Sequence, residues 1–337
     1  GAFQFTHHGT ASRGDQRDTT MLDNGAGDFH GSPFHAACFH ARQDLKYAGR
    51  CRWQFRCRLG SARVVAVIHQ GLSVMSESIE ASHSGEPPES LARPDGATIA
   101  FHRSRGTSPG VVFLGGFMSD MDGTKAVALE NWCRERNVGF LRFDYRGHGQ
   151  SSERFEDGCI GDWADDARLA IEQLTEGPQI LVGSSMGGWI SLLTARRDPS
   201  RICGIVGIAA APDFTEDLMW PSFTEDQRRQ ITDKGRLEIP TEYGDDPYVI
   251  TRRLIEDGRQ NLVLADDRLA IDCPVRLLQG MEDPDVPWRT ALRISEKLRS
   301  ADVQVTLIKD GDHRLSREQD IAMICRAVGE LLQKSSS

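Results

Sequence analysis

The chain reads as an α/β domain, a mostly parallel, doubly wound sheet with helices on both faces and a small helical lid. Three observations predict it. From about Leu91 onward, short apolar runs alternate with amphipathic stretches of helical period, joined by short Gly/Asp turns. One turn is Gly183-Ser184-Ser185-Met186-Gly187, a Gly-x-Ser-x-Gly pattern between the apolar run Gln179–Val182 and the amphipathic run Trp189–Ala195. After Ser185 the chain holds one histidine, His313, directly behind the last strand-like run.

The elements follow in order. Thr98–Phe101 reads as a short strand, and Val111–Leu114 as a buried one bounded by Pro109-Gly110 and Gly115-Gly116. Residues 123–136 are expected to be a helix with Ala126, Leu129, Trp132 and Cys133 on one face. Phe140–Phe143 is the next strand, ending at Asp144-Tyr145-Arg146-Gly147-His148-Gly149. Trp163–Leu174 is an amphipathic helix with Trp163, Ala167, Leu169, Ala170, Ile171 and Leu174 inward. Then come the strand and helix around Ser185, and the strand Ile205–Ile208. Pro274–Leu278 and Val303–Ile308 are read as strands, Trp288–Leu298 and Ile321–Leu332 as helices. Residues 212–272 break the rhythm. They carry no obvious strand, yet hold Phe214, Leu218, Met219, Trp220, Phe223, Tyr243 and Tyr248 among many charges. Beginning after a strand end, they are expected to project over the site as a lid, the alternative being an ordinary surface helical pair.

Composition sets bounds. A net charge of −9 argues against a phosphate-backbone partner. No apolar run approaches the ~18 residues of a membrane span. Residues 1–74 nevertheless hold nine Arg and Lys against five Asp and Glu, and six of the ten histidines. This Gly-, Arg- and His-rich stretch lacks hydrophobic periodicity, Gly1 is not an initiator residue, and Met75-Ser-Glu-Ser-Ile-Glu80 resembles an ordinary N-terminus. Residues 1–85 are therefore expected to be a poorly structured leader outside the fold, and 86–334 the folded domain with its insertion at about 212–272. The five acidic residues argue against an organelle transit peptide. The eight cysteines show no Cys-x-x-Cys pair. Cys38-Phe39-His40 is the nearest approach to a ligand pair, and reduced thiols in an intracellular protein are the expectation.

The chemistry follows from placement. A serine on a sharp strand-to-helix turn presents its hydroxyl at the top of a sheet, the nucleophile elbow of an α/β hydrolase. A free hydroxyl is a weak nucleophile and needs a base. His313 alone satisfies the order serine, acid, histidine of that fold. The acid is sought in Gln279-Gly280-Met281-Glu282-Asp283-Pro284-Asp285-Val286-Pro287. Asp283 is nearest the turn apex and is favoured over Asp285, with Glu282, Asp310 and Asp312 as further alternatives. The expected oxyanion donors are backbone N–H groups, one from Met186 after the nucleophile and one from Phe117 in Gly115-Gly116-Phe117-Met118. Met118, Trp189, Trp220 and Trp288 are candidates to line an acyl pocket, though such residues are more often core. His148 is read as a turn residue.

The chain thus resembles the α/β-hydrolase superfamily from about Leu91 to Leu332, through Gly183–Gly187, Gly280-x-x-Asp283-x-x-Val286-Pro287 and Asp312-His313. A closer resemblance is carried by Arg93-Pro94-Asp95, Ser108-Pro109-Gly110, Asp122-Gly123-Thr124-Lys125-Ala126, Phe143-Asp144-Tyr145, Gly177-Pro178-Gln179 and Val286-Pro287-Trp288. These look like the mitochondrial palmitoyl-protein thioesterase branch, which also cleaves acyl glucuronides. The resemblance implies hydrolysis of acyl thioesters and esters by Ser185, Asp283 and His313. Relatives that cleave carbon–halogen bonds or epoxides carry aspartate at the elbow, which Ser185 excludes. A short-chain carboxylesterase or a non-catalytic binding member of the fold are the alternatives. The expected partners are small-molecule or acylated-protein substrates, with no nucleic acid, membrane span, cofactor or metal. The expected compartment is cytoplasmic in a bacterial source and mitochondrial in a eukaryotic one.

Overall fold

The computed structural model describes the backbone of Phe55–Leu59 and Ala62–Ala66 together with residues 87–239 and 248–335. All belong to one compact unit. In chain order they form β1 (Phe55–Leu59), β2 (Ala62–Ala66), β3 (Glu89–Ala92), β4 (Thr98–Ser104), β5 (Thr107–Leu114), α1 (Thr124–Glu135), β6 (Val138–Phe143), α2 (Ile160–Leu174), β7 (Gln179–Ser184), α3 (Met186–Arg197) and β8 (Ile202–Ile208). A π turn Thr215–Met219 then runs into α4 (Trp220–Ser222), followed by α5 (Glu225–Lys234), β9 (Arg236–Ile239), β10 (Tyr248–Thr251) and α6 (Arg252–Gln260). The chain closes with β11 (Val275–Gly280), α7 (Arg289–Lys297), β12 (Val303–Ile308) and α8 (Glu318–Ser335).

The main sheet has the order β1-β2-β12-β11-β8-β7-β5-β6-β4-β3. From β6 to β2 its pairings are parallel, while β3, β4 and β1 pair antiparallel at the two edges. Every residue of β7 and of β11 is buried, as expected for central parallel strands covered on both faces. The side-chain alternation of a strand divides the core into two. Val112, Leu114 and Leu181 join Trp163, Trp189 and Ile294 on the side of α2, α3 and α7. Val111, Phe113, Ile180 and Val182 join Ala126, Leu129, Ile324 and Val328 on the side of α1 and α8. The doubly wound α/β-hydrolase architecture expected from the sequence is thus the one observed.

Several expectations need correction. β3 lies outside the predicted elements, although Leu91 anchors it in the core. Within the segment read as a leader, β1 and β2 form an antiparallel hairpin, and β2 pairs in parallel with β12. Placement of residues 1–85 outside the fold therefore does not hold for these two strands. Cys38, His40 and Met75 lie outside the described residues. The insertion is not purely helical, because β9 and β10 pair antiparallel within it. Period-2 patterning is hard to see over two four-residue strands flanked by charge.

The lid helices carry explicit start signals. Thr224 and Gln227 form a reciprocal capping box at α5, and Thr251 accepts from the Leu254 N–H at α6. The lid has an apolar underside. Phe214, Met219, Phe223, Ile231, Leu237, Ile250, Leu254 and Ile255 are buried in the same cluster as α2 and α3. Asp213, 2 % exposed, accepts from the N–H groups of Val263 and Leu264 at 2.8 Å each and so ties the start of the insertion to its end. The Asp257 carboxylate on α6 accepts from the Gly161 N–H at 2.7 Å, capping α2 from the lid.

Candidate active site

The turns after β5, β6, β7, β11 and β12 meet beyond the carboxyl ends of the parallel strands, where open α/β sheets place their sites. Ser185 sits between β7 and α3 with φ 54° and ψ −116°, a conformation that costs a non-glycine residue about 1–3 kcal/mol. Three backbone bonds hold it there. Its N–H donates to Ile208 at 2.9 Å, and its carbonyl accepts from Gly188 at 2.9 Å and Ala211 at 3.0 Å. The flanking glycines are steric necessities. A Cβ at Gly187 would stand 2.0 Å from the Leu114 carbonyl oxygen, and one at Gly183 would stand 2.3 Å from the Gly187 oxygen. The β5 turn, the elbow and α3 are packed backbone to backbone.

The Ser185 hydroxyl lies 3.1 Å from His313 Nε2. His313 Nδ1 lies 2.8 Å from Asp283 Oδ2. The Asp283 side chain is fully buried, while His313 keeps 18 % exposure. Asp283 is held from all sides. Its Oδ1 accepts from the Asp285 N–H at 2.8 Å and the Val286 N–H at 2.9 Å, and its Oδ2 also accepts from Gln279 Nε2 at 2.9 Å. A carboxylate so bound orients the imbibed proton of the imidazole: Nδ1 donates, leaving Nε2 to accept from the serine. This arrangement can draw the proton from a hydroxyl as that hydroxyl attacks an electrophile.

Two of the competing carboxylates are engaged elsewhere. Asp310 pairs with Arg317, and Asp312 accepts from the Leu315 N–H. Glu282 is exposed. Both Asp285 oxygens are buried and lack a hydrogen-bond partner among the described residues, and burial pushes that carboxyl above its ordinary range. Ligand atoms of Asp283, Asp285 and His313 lie within 4.8 Å of one another, so these three residues could converge on a cation. Two of them already bond each other in the serine–histidine–aspartate chain.

Met186, fully buried, begins α3 directly after Ser185, and Phe117 stands in the β5 turn. Gly116 lies beside the elbow, since a Cβ there would be 3.6 Å from Ser185 Cβ. Among the four expected pocket residues, Met118 is 40 % exposed. Trp220 is half-buried on the lid beneath the guanidinium groups of Arg228 and Arg259. Trp288 is half-buried and stacks under Arg289. Trp189 is core rather than pocket wall. It is fully buried, packs edge-on against Phe214, and donates its indole N–H to the Asn261 carbonyl at 3.0 Å. Burial of such a ring is worth about 4–6 kcal/mol, which anchors the lid to α3.

Three supporting residues escaped the sequence reading. Gln279 holds Asp283 and also donates to the Val286 carbonyl at 3.2 Å; its signal was an amide at the carboxyl end of a strand, directly after Leu277-Leu278. Lys125 donates to the Arg314 carbonyl at 2.5 Å and so braces the His313 loop from α1. Burial holds its ammonium down at about 8. His148 is only 3 % exposed and touches the β5 turn rather than facing solvent. A cleft of about 730 Å³ between α2 and α6 contains none of the predicted site residues, and its Arg253 and Arg197 are already paired with Asp162 and Asp165.

Comparison with known proteins agrees with this architecture. Residues 109–320 match the family model Hydrolase_4, described as serine aminopeptidase, S33. The bovine mitochondrial palmitoyl-protein thioesterase ABHD10 is 35 % identical over 291 residues, 83 % of this chain and 94 % of that protein. The human protein of the same name is 35 % identical over 248 residues, 73 % of this chain and 80 % of that protein. Among solved structures, a putative hydrolase from Agrobacterium vitis superposes with a TM-score of 0.68 at 41 % identity, covering 73 % of this chain and 99 % of that one. Mouse α/β-hydrolase domain-containing protein 10 gives a TM-score of 0.68 at 34 % identity, covering 74 % and 99 %. No described helix is long and apolar enough to cross a membrane. The chain belongs to the Hydrolase_4 family of α/β hydrolases.

Proposed function

We propose that this protein is a serine hydrolase of acyl thioesters or carboxylic esters, acting through an acyl-enzyme. The observation that carries the proposal is the unbroken chain from the Ser185 hydroxyl to His313 at 3.1 Å and from His313 to the fully buried Asp283 at 2.8 Å. His313 Nε2 takes the Ser185 proton as Oγ attacks the acyl carbon. The charged imidazolium is stabilised by Asp283. The tetrahedral oxyanion is met by the backbone N–H groups of Phe117 and Met186, the latter at the positive end of α3. His313 then protonates the departing thiolate or alkoxide, and the acyl group remains on Ser185. Water gives a proton to His313 Nε2, adds its oxygen to the acyl carbon, and the acid leaves as Oγ recovers the proton.

The relatives' name, palmitoyl-protein thioesterase, supports long acyl chains on protein thiols as the substrate class. Met118, exposed beside the β5 turn, and Trp220 on the lid are the apolar groups assigned to the acyl path. No cofactor enters this chemistry. The mitochondrial address carried by those relatives' names extends to this chain if its source is eukaryotic.

A fluorophosphonate probe tests the mechanism, and a series of acyl thioesters and esters from acetyl to palmitoyl tests the substrate class. The expected result is labelling of the intact protein, none of Ser185→Ala, and kcat/KM rising with chain length. Equal labelling of both proteins would overturn the serine mechanism. A preference for acetyl and butyryl esters would replace the thioesterase reading with that of a short-chain carboxylesterase.

A further inference from the structure

We propose that His148 is a positioning residue for the oxyanion loop, its Nε2 lone pair holding the Met118 N–H so that the adjoining Phe117 amide stays aimed at the reacting carbonyl. The inference rests on the hydrolytic reading of the site given above and adds to it a residue outside the Ser185–His313–Asp283 chain.

The hydrogen bonds dictate the tautomer. His148 Nδ1 lies 3.1 Å from the Arg146 carbonyl oxygen, which can only accept, so Nδ1 carries the proton. Nε2 is then a lone pair, and the Met118 N–H donates to it at 3.3 Å. Burial holds the imidazole down at about 4, so the ring is neutral under ordinary conditions and Nε2 remains an acceptor.

The ring cannot turn away. Tyr145, Phe155 and Trp163 meet it edge to face, with centroids at 5.5, 5.1 and 5.1 Å. The Trp163 indole N–H donates at 3.1 Å to the same Arg146 carbonyl that fixes Nδ1. Phe117 joins this cluster, its ring 4.8 Å from Phe155 and 6.0 Å from Trp163. The loop residue assigned to the oxyanion is thus seated on the aromatic wall that holds His148.

The loop has reason to need such a hold. Met118 adopts φ 55°, a left-handed conformation that costs a residue with a Cβ about 1–2 kcal/mol, and its side chain is exposed and supplies little packing in return. The peptide joining Phe117 to Met118 is therefore set by hydrogen bonding. A second tether comes from the same turn, where the Asp144 carboxylate accepts from the Met121 N–H at 2.7 Å and the Gln150 N–H at 2.8 Å. The turn after β6 thus grips the oxyanion loop at two points, Met118 and Met121.

Three substitutions test this. Glutamine at 148 places an acceptor near the position of Nε2, asparagine places one too short to reach, and leucine supplies none. Loss of a complete oxyanion donor costs about 10²–10³ in rate, so a displaced donor is expected to cost about tenfold to a hundredfold. His148→Leu and His148→Asn should lose about that in kcat with KM within about twofold, and affinity for a trifluoromethyl ketone, whose adduct carries the oxyanion, should fall in parallel. His148→Gln should recover to within about threefold of the parent. Equal kcat for the glutamine and asparagine variants, or lost kcat with unchanged trifluoromethyl ketone affinity, would overturn the proposal. The glutamine–asparagine comparison stands even if the leucine protein does not fold. Failure of the underlying reading shows separately, as hydrolysis by the parent that survives Ser185→Ala.

Discussion

Replacing Asp283 with asparagine isolates the role of one proton. The carboxylate accepts from four donors, two at each oxygen, and is shut off from solvent. An asparagine has one accepting oxygen and one donating NH₂. With the oxygen turned to the Asp285 and Val286 N–H groups, those two bonds survive and the NH₂ faces His313 Nδ1. That nitrogen must then accept, so the ring proton moves to Nε2, where it opposes removal of the Ser185 proton. A triad with the wrong tautomer loses about 10⁴ in kcat, equivalent to about 5 kcal/mol of transition-state stabilisation. KM is expected to stay within about threefold, since Asp283 touches no substrate. The assay is steady-state hydrolysis of an acyl thioester with the serine titrated by fluorophosphonate, run beside Asp285→Asn. The neighbour, which lies near the site without a hydrogen bond to His313, should keep kcat within about fivefold. An Asp283→Asn protein within tenfold of the parent, with the collapse falling on Asp285→Asn, would refute the assignment of the acid.

Further outcomes follow from packing and ionisation. Gly187→Ala drives a Cβ into the Leu114 carbonyl, a backbone atom that cannot yield without moving β5, so stability should fall by at least about 3 kcal/mol and Tm by about 6–12 °C in a scanning calorimeter. Asp213→Ala strands the Val263 and Leu264 N–H groups beneath the lid, and roughly 2–5 kcal/mol of stability should be lost in urea titration; less than about 1 kcal/mol would mean that the lid ends are not held there. His148 titrates at about 4 when folded against its ordinary 6.5, so the unfolded chain binds the extra proton between those values. Its stabilising contribution is complete above pH 6.5 and is lost as pH falls towards 4, by about 3 kcal/mol. His148→Gln should lack that acid-side component, and parallel pH–stability curves for the two proteins would contradict it.

The central elements were legible because each obeys one period. Val303–Ile308 alternates over its full length, while the apolar stretches Ile180–Val182 of β7 and Leu277–Leu278 of β11 lead into Gly-containing turns. The periphery was less so. β3 and the strands β9 and β10 are four residues each, too short for a repeating pattern to rise above their charged neighbours. Trp189 shows the limit for single residues: an aromatic beside the elbow fits a pocket or the core equally well until its neighbours are known. Leu169, placed inward on α2 by its spacing, is only partly buried, because the face that a helix hides depends on what lies opposite.

By itself the sequence determined the class of fold, the serine at the elbow, and His313 as the one histidine in the required order. Those follow from local pattern and chain order, which need no knowledge of distance. Only the tertiary structure separates Asp283 from Asp285 and their neighbours, because the distinction is which carboxylate lies 2.8 Å from Nδ1 and which, though nearby, makes no hydrogen bond to it. The same holds for His148, Gln279 and Lys125. His148 and Lys125 act between elements distant in the chain, and such hydrogen bonds exist only once the sheet has brought its strand ends together, while Gln279 reaches Asp283 across the turn that follows its own strand.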